Sequence, residues 1–271
     1  MSLFIASLNS GSNGNCYYIG NRHEAVLVDA GISCREIEKR MKRLGLKMDM
    51  VKAIFVSHEH TDHISGLPTL TKKYNLPVYI TPGTLRDRGI KISQTLINGF
   101  SAGEEIQIGN LSVIAFTKYH DAGDPHSFIV KGNGVTIGVF TDIGRVCEQL
   151  IHHFKQCHAA FLEANYDVEM LESGNYPFYL KKRISGGMGH LSNDDALNLF
   201  ITHRPAYMSH LLLSHLSKNN NSPKLALELF QQHAEATVVA VAPRNEATRV
   251  YEIRANKIST PKVIGLQMEM F

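Results

Sequence analysis

No run of about eighteen apolar residues, the length a membrane-spanning helix needs, occurs in the 271-residue sequence, so no membrane span is expected. The opening segment MSLFIASLNSGSNGN lacks a basic stretch, and its apolar core is too short for a secretory signal. It reads as the first strand of the fold. Cysteine is sparse: Cys16, Cys34, Cys147 and Cys157 form no CxxC pair and stand outside the histidine-rich segments. Scattered thiols without an export signal fit a reducing compartment, and the expected location is the cytoplasm. A large charge of one sign is also missing. The net charge of +3 permits an acidic partner but lacks the basic excess many nucleic-acid binders carry. No internal repeat, low-complexity tract or Pro/Gly/Ser-rich linker divides the chain, so one domain over residues 1–271 is expected. The apolar share of 44% and charged share of 20% are ordinary for a globular protein.

What is present begins with β-like runs: LFIASL, CYYIG, AVLVDAG and KAIFVSH, with a helix over CREIEKRMKRLG ending at Gly45. A second helix is expected over SGLPTLTKKYN, then a strand PVYIT and a short helix capped by Thr81 with Pro82 in its first turn. Two hairpins follow, EEIQIGNLSVIAFT and HSFIVKGNGVTIGVFTD, turning at Gly109-Asn110 and Gly132-Asn133-Gly134. The last third alternates. Helices are expected over 146–155, near 167–172 and 177–185, from Ser192 with Asp195 completing a capping box, and from Ser222 with Pro223 first. Strands HAAFLEA, YMSHLLLSH and ATVVAVA lie between them, and VIGLQMEMF is read as a closing strand. Two β-rich halves with interspersed helices point to an α/β fold with a two-sheet core and helices outside.

The stretch SHEHTDHISGL packs His58, His60, Asp62 and His63 into six positions just after an apolar run. Neutral imidazole is the commonest protein metal ligand near neutral pH. Residues two apart on an extended chain share a side, so His58 and His60 can serve one ion. Asp62 and His63, where the chain turns toward a helix, can serve a neighbouring one. His120, Asp142 and His215 are each the first strongly coordinating residue after an apolar run. Five histidines and two aspartates suffice for two divalent ions with one bridging carboxylate. Nitrogen and carboxylate donors suit Zn or Mn, with Fe as a further option. Of the other histidines, His126 and His210 are candidates for supporting the ligands.

These motifs resemble the metallo-β-lactamase superfamily. SLNSGSNGNCYYI, LVDAGIS, SHEHTDHISGL, HDAGDPHSF, TDIG, LEANYD, GNYPFYLKKRI, GHLSNDDAL and LLLSHLSKNNN are together similar to its YycJ/WalJ branch, from about Ser7 to Asn221. The resemblance implies an αββα four-layer sandwich, two mixed sheets flanked by helices, with metals along one edge. It implies His58, His60 and His120 on one ion, Asp62, His63 and His215 on the other, and Asp142 bridging. The branch is associated with 5′-to-3′ exonuclease activity on DNA and, more loosely, with mismatch repair.

Two-metal sites lower the pKa of bound water from 15.7 toward about 7 and clamp the attacking and leaving oxygens. Two such ions, less Asp62, Asp142 and a hydroxide, leave about one positive unit to attract a phosphodiester. Asp62 is expected to orient the activated water. HLSNDDA is similar to the proton-donor motif of tRNase Z relatives, so His190, held by Glu163, is expected as general acid. A helix cap or phosphate ligand is the plainer reading of His190. The loop NSGSNGN can turn backbone N–H groups toward an anion, which makes Ser10, Ser12, Asn13 and Asn15 substrate-side candidates; a plain turn has the same composition. Asn219, just past His215, is another. NYPFYLKKRIS interleaves Tyr176, Phe178 and Tyr179 with Lys181, Lys182 and Arg183, as single-strand binders do. An amphipathic helix with its aromatics in the core has the same pattern.

The expected function is a cytoplasmic, dinuclear phosphodiester hydrolase acting on single-stranded DNA ends. A small-molecule phosphodiesterase or thioesterase is the alternative within hydrolases, and a non-catalytic metal-containing DNA-binding module the alternative outside them. Diiron redox chemistry is disfavoured. His60 stands where flavo-diiron reductases of the superfamily carry Glu, and no flavodoxin-like segment follows.

Overall fold

The computed structural model describes residues 2–87 and 89–255. Strands β1 (Ser2–Asn9), β2 (Cys16–Gly20) and β3 (Ala25–Val28) form an antiparallel meander. Helix α1 (Cys34–Arg43) then carries the chain to β4 (Val51–Phe55), which pairs with β3 in parallel. Helices α2 (Thr61–Ile64) and α3 (Leu67–Tyr74) lead to β5 (Val78–Tyr79), and α4 (Pro82–Asp87) precedes β6 (Ile97–Asn98); both strands add in parallel. Four-residue runs such as Ala25–Val28 are buried on both faces, which is why they read as continuous apolar segments rather than alternating ones.

A second sheet repeats this plan. Strands β7 (Glu105–Ile108), β8 (Leu111–Thr117), β9 (His126–Gly132) and β10 (Val135–Phe140) are antiparallel neighbours. The β9–β10 turn holds Asn133 and Gly134 at φ 54° and 75°, the left-handed pair that matches strand twist. Helix α5 (Glu148–Phe154) connects to β11 (Ala159–Glu163). Helices α6 (Val168–Ser173), α7 (Phe178–Ser185) and α8 (Asn193–His203) connect to β12 (His210–Ser214), and α9 (Pro223–Gln231) to β13 (Val238–Val241). These strands add in parallel. Strand β14 (Tyr251–Arg254) returns to the first sheet and pairs antiparallel with β1. Among the described residues each sheet thus has seven strands.

The inner faces share one apolar core, with Leu3, Ile5, Tyr17 and Phe55 meeting Val113, Phe128, Ile137 and Phe161. Helices α1 and α3 cover the outer face of the first sheet, where Ile37, Met41, Leu67 and Leu70 are buried. Helices α5, α8 and α9 cover the second with Phe154, Phe200 and Phe230. Each such side chain contributes roughly 1.5–3 kcal/mol by leaving water. The architecture is the αββα sandwich expected. Among the described residues no helix is long and apolar enough to cross a membrane.

Several elements differ from expectation. SGLPTLTKKYN holds one helix as expected, α3, trimmed to Leu67–Tyr74 and closed by Asn75 at φ 53°; the separate short helix α2 ahead of it was not foreseen. PVYIT narrows to Val78–Tyr79. Ser222 stands at the start of α9, but its hydroxyl makes no capping bond, and its N–H donates to Asn221 Oδ1. Strands β6 and β14 were not foreseen, and the closing strand VIGLQMEMF lies outside the described residues.

Candidate metal centre

Both sheets deliver side chains to the same end of the sandwich. His58 and His60 follow β4, and Asp62 and His63 lie in α2. His120 follows β8, Asp142 follows β10, Glu163 ends β11 and His215 follows β12. Asp142 and His215 have φ of 55° and 56°, and so does Asp29 beyond β3, at 61°. Non-glycine residues rarely adopt this left-handed conformation, which clusters where a site dictates side-chain direction. The α2 turn is stitched in place by backbone bonds. Asn15 N donates to Asp62 O (2.7 Å) and Ala30 N to His63 O (2.8 Å). Gly31 permits this approach: a Cβ there would lie 1.6 Å from Asp62 O.

Donor atoms of His58, His60 and His120 lie within 4.8 Å of one another, as do those of Asp62, His63 and His215, and those of His58, His63 and Asp142. His60 Nδ1 is 3.0 Å from His58 Nε2 and 3.3 Å from His120 Nε2. Ligands of a tetrahedral ion with bonds of 2.0–2.1 Å are spaced about 3.3 Å apart, so the nitrogens already hold a coordination spacing. Asp142 reaches both groups: Oδ2 is 3.2 Å from His63 Nε2, without hydrogen-bond geometry, while Oδ1 is 3.5 Å from His215 Nε2 and 3.9 Å from His120 Nε2. Asp142 Oδ2 and His215 Nε2 are buried without a hydrogen-bond partner, an arrangement proteins avoid unless something else satisfies the atoms.

Most of these histidines are held by their other nitrogen. His63 Nδ1 donates to Asp29 Oδ2 (2.7 Å), His215 Nδ1 to Glu163 Oε1 (2.8 Å) and His120 Nδ1 to Gly189 O (2.9 Å). His58 Nδ1 donates to Ser57 Oγ (2.9 Å), which itself donates to Asp29 Oδ2 (2.8 Å). Such partners fix the ring and leave Nε2 bare toward the centre. Electrostatics divides the cluster. Burial, then the charges of His63 and Lys118, pushes His58 well below its usual range; burial also takes His120 down to about 3. Both rings are neutral donors. Burial opposes charge on His63 and His215 as well, but Asp142 and the other carboxylates outweigh it, raising His63 well above the usual range and His215 to about 10. The acidic half of the cluster therefore calls for positive charge, which a divalent cation supplies. The donor set fits such a cation on spacing, on orphaned atoms and on charge.

The remaining predicted residues divide. Glu163 holds His190 as expected, Oε1 accepting from Nδ1 at 2.9 Å; Oε2 is fixed by the N–H groups of Ile143 (2.6 Å) and Leu191 (3.2 Å). Ser10 and Asn15, expected to face substrate, are buried. The Ser10 hydroxyl accepts from His215 N (2.8 Å), and Asn15 Nδ2 lies 3.0 Å from His63 Nε2. Both build the wall of the site, because the loop between β1 and β2 folds inward at its two ends. Its tip, Ser12 and Asn13, is exposed. Asn219 is exposed and donates to Tyr176 OH (3.0 Å). Lys181 donates to Glu172 O (2.6 Å), Lys182 is exposed, and Arg183 pairs with Asp121 (2.5 Å), next to His120. The aromatics of α7 are not in the core: Phe178 is 80% and Tyr179 74% exposed. His126 is buried and its N–H donates to Ser57 O (2.9 Å), whereas His210 starts β12 at the end away from His215, against Tyr251.

A family model described as a beta-lactamase superfamily domain matches residues 24–216. The chain belongs to this superfamily. Among its members, the exodeoxyribonuclease YycJ of Bacillus anthracis is 37% identical over 231 residues, covering 83% of this chain and 87% of that one. The exodeoxyribonuclease WalJ of Streptococcus pneumoniae is 32% identical over 235 residues, covering 84% and 87%. The solved structure of the metallo-beta-lactamase fold protein YhfI from Bacillus subtilis superposes with a TM-score of 0.71 at 15% identity, over 93% of this chain and 100% of that one. Fold, donor cluster and superfamily membership together make the chain a metal-dependent hydrolase.

Asp29, Ser57 and the second bond of Glu163 were missed by sequence reasoning. Asp29 carried one signal, its place directly after the apolar run AVLV. Lys118, which donates to Thr141 O (2.7 Å) behind Asp142, carried none.

Proposed function

We propose that the chain is a dinuclear exonuclease acting 5′-to-3′ on single-stranded DNA in the cytoplasm, its residues 1–271 forming one domain. His58, His60 and His120 would hold one divalent ion, Asp62, His63 and His215 the other, with Asp142 available to both, and Zn or Mn would suit these donors. When bound, such ions supply an activated water at neutral pH and charge for the oxygens of the phosphodiester.

The chain's own residues do the rest. Asp62 orients the attacking water. His190, its Nδ1 on Glu163, presents Nε2 as proton donor to the leaving alkoxide, and burial of Glu163 keeps the ring from rotating. Ser12, Asn13 and Asn219 offer donors beside the site, and Lys181, Lys182 and Arg183 follow the strand's phosphates. Phe178 and Tyr179, exposed on the same helix, offer faces for bases.

The observation that carries the nuclease reading is similarity over 87% of the length of two relatives named exodeoxyribonucleases. Metal-reconstituted protein is to be given 5′- and 3′-labelled single strands, cyclic nucleotides and thioesters, beside Asp62→Ala. Stepwise release of nucleotides from the 5′ end, lost in the variant, is expected. Thioester turnover with intact oligonucleotides would overturn the reading.

A further inference from the structure

A cavity of about 540 Å³ opens beside the metal centre, between the loop after β12 and the segment that follows β13. It reaches Ser10, whose hydroxyl holds His215 N, and Leu216, the next residue in the chain. Its volume is in the range of small-ligand sites. One part of the lining is apolar, with Leu216, Val241 and Pro243; another is basic, with Lys218 and Arg244. Glu246 also lines it.

Arg244 is the unusual residue. Its guanidinium donates to Ser12 Oγ (3.2 Å), Asn13 Oδ1 (3.2 Å) and Leu216 O (3.0 Å), all neutral acceptors. Among the described residues no carboxylate, Glu246 included, pairs with it. A half-buried arginine without an anionic partner is poised to take one, and its planar fork suits a phosphate. The neighbourhood is shaped around it: Gly11 has φ 135°, and a Cβ there would lie 3.1 Å from Arg244 Cζ. Its bond to Leu216 O, one residue past His215, ties this corner to the metal centre.

We propose that this cavity seats the nucleotide next to the cleaved bond, its phosphate on Arg244 and its base or sugar against the apolar wall. Arg244 is thus a positioning residue for a phosphate other than the one that reacts. This rests on the nuclease reading above. The ligand class is a single-strand nucleotide unit, and the seat gives the chain end a fixed distance from the metals.

The test replaces one phosphate at a time by an uncharged methylphosphonate in a labelled single-stranded oligonucleotide. Metal-loaded wild type and Arg244→Ala are compared on each, and on bis(p-nitrophenyl) phosphate, which carries a single phosphodiester. For wild type, kcat/KM falls about ten- to a hundredfold for a methylphosphonate at one site flanking the cut bond. Arg244→Ala loses a similar factor on the all-phosphate strand and no longer responds to that replacement. Both proteins hydrolyse bis(p-nitrophenyl) phosphate equally, and Arg244→Lys recovers part of the loss. An equal loss on both substrates, or an unchanged methylphosphonate pattern in Arg244→Ala, overturns the proposal while leaving the nuclease reading intact. Wild type that leaves every oligonucleotide whole overturns both.

Discussion

His63 Nδ1 lies 2.7 Å from Asp29 Oδ2, and both side chains are fully buried. Asp29 touches no reacting atom, yet its two oxygens hold Ser57 N, Ser57 Oγ and His63 together, and through Ser57 it also steadies His58. One carboxylate thereby sets two rings of the centre.

Asp29→Ala is expected to weaken metal binding about 10- to 100-fold, as loss of a ligand's support does elsewhere. Chelator competition on the purified protein measures it. Affinity equal to wild type would show that the α2 turn alone fixes His63.

His190→Ala is expected to lower kcat on DNA by about 10²–10⁴-fold with metal content unchanged. The loss should shrink on p-nitrophenyl esters, whose leaving group departs without a proton. Glu163→Gln should differ, because Glu163 also holds His215: both turnover and bound metal fall. Elemental analysis beside single-turnover rates separates the two cases.

Cations that bind the folded state alone raise its stability by about 4.1 kcal/mol at a thousand times Kd. Thermal unfolding with and without Zn or Mn should therefore show a shift of several degrees in wild type. Asp142→Ala, which removes the carboxylate lying between both histidine groups, should lose most of that shift.

Phe178→Ala and Tyr179→Ala should leave the melting temperature unchanged, since exposed positions seldom shift stability by more than about 0.5 kcal/mol. Single-strand affinity should fall instead, with each stacked base worth roughly 1–3 kcal/mol. Fluorescence anisotropy of a labelled oligonucleotide reads this. A drop in melting temperature without a change in affinity would assign the pair to packing.

Much of the frame was legible because apolar runs and turn residues are local signals. Val26–Val28 and Leu211–Leu213 are buried on both faces and look it in the sequence, and Asn133-Gly134 announces its hairpin. That the seven candidate ligands would gather was legible for a related reason: His58, His120, Asp142 and His215 each come soon after a strand. What escaped depends on distant partners. Strand β14 is four residues long and owes its place to β1, far away in sequence. Ser10 and Asn15 look like loop-tip polar residues, and only the approach of His215 and His63 turns them inward. Helical periodicity could not tell whether Phe178 and Tyr179 meet a neighbour; among the described residues both stay largely exposed.

The two sheets share the donors almost evenly: His58, His60, Asp62 and His63 arise from the first, His120, Asp142 and His215 from the second. On the proposed ligand assignment, cations bound there would be rivets through both plates of the sandwich. Neither plate alone carries the full proposed ligand set, so prising the halves apart should release the ions in the same event, and a chain that has lost its grip on one half should fall silent rather than cut at random.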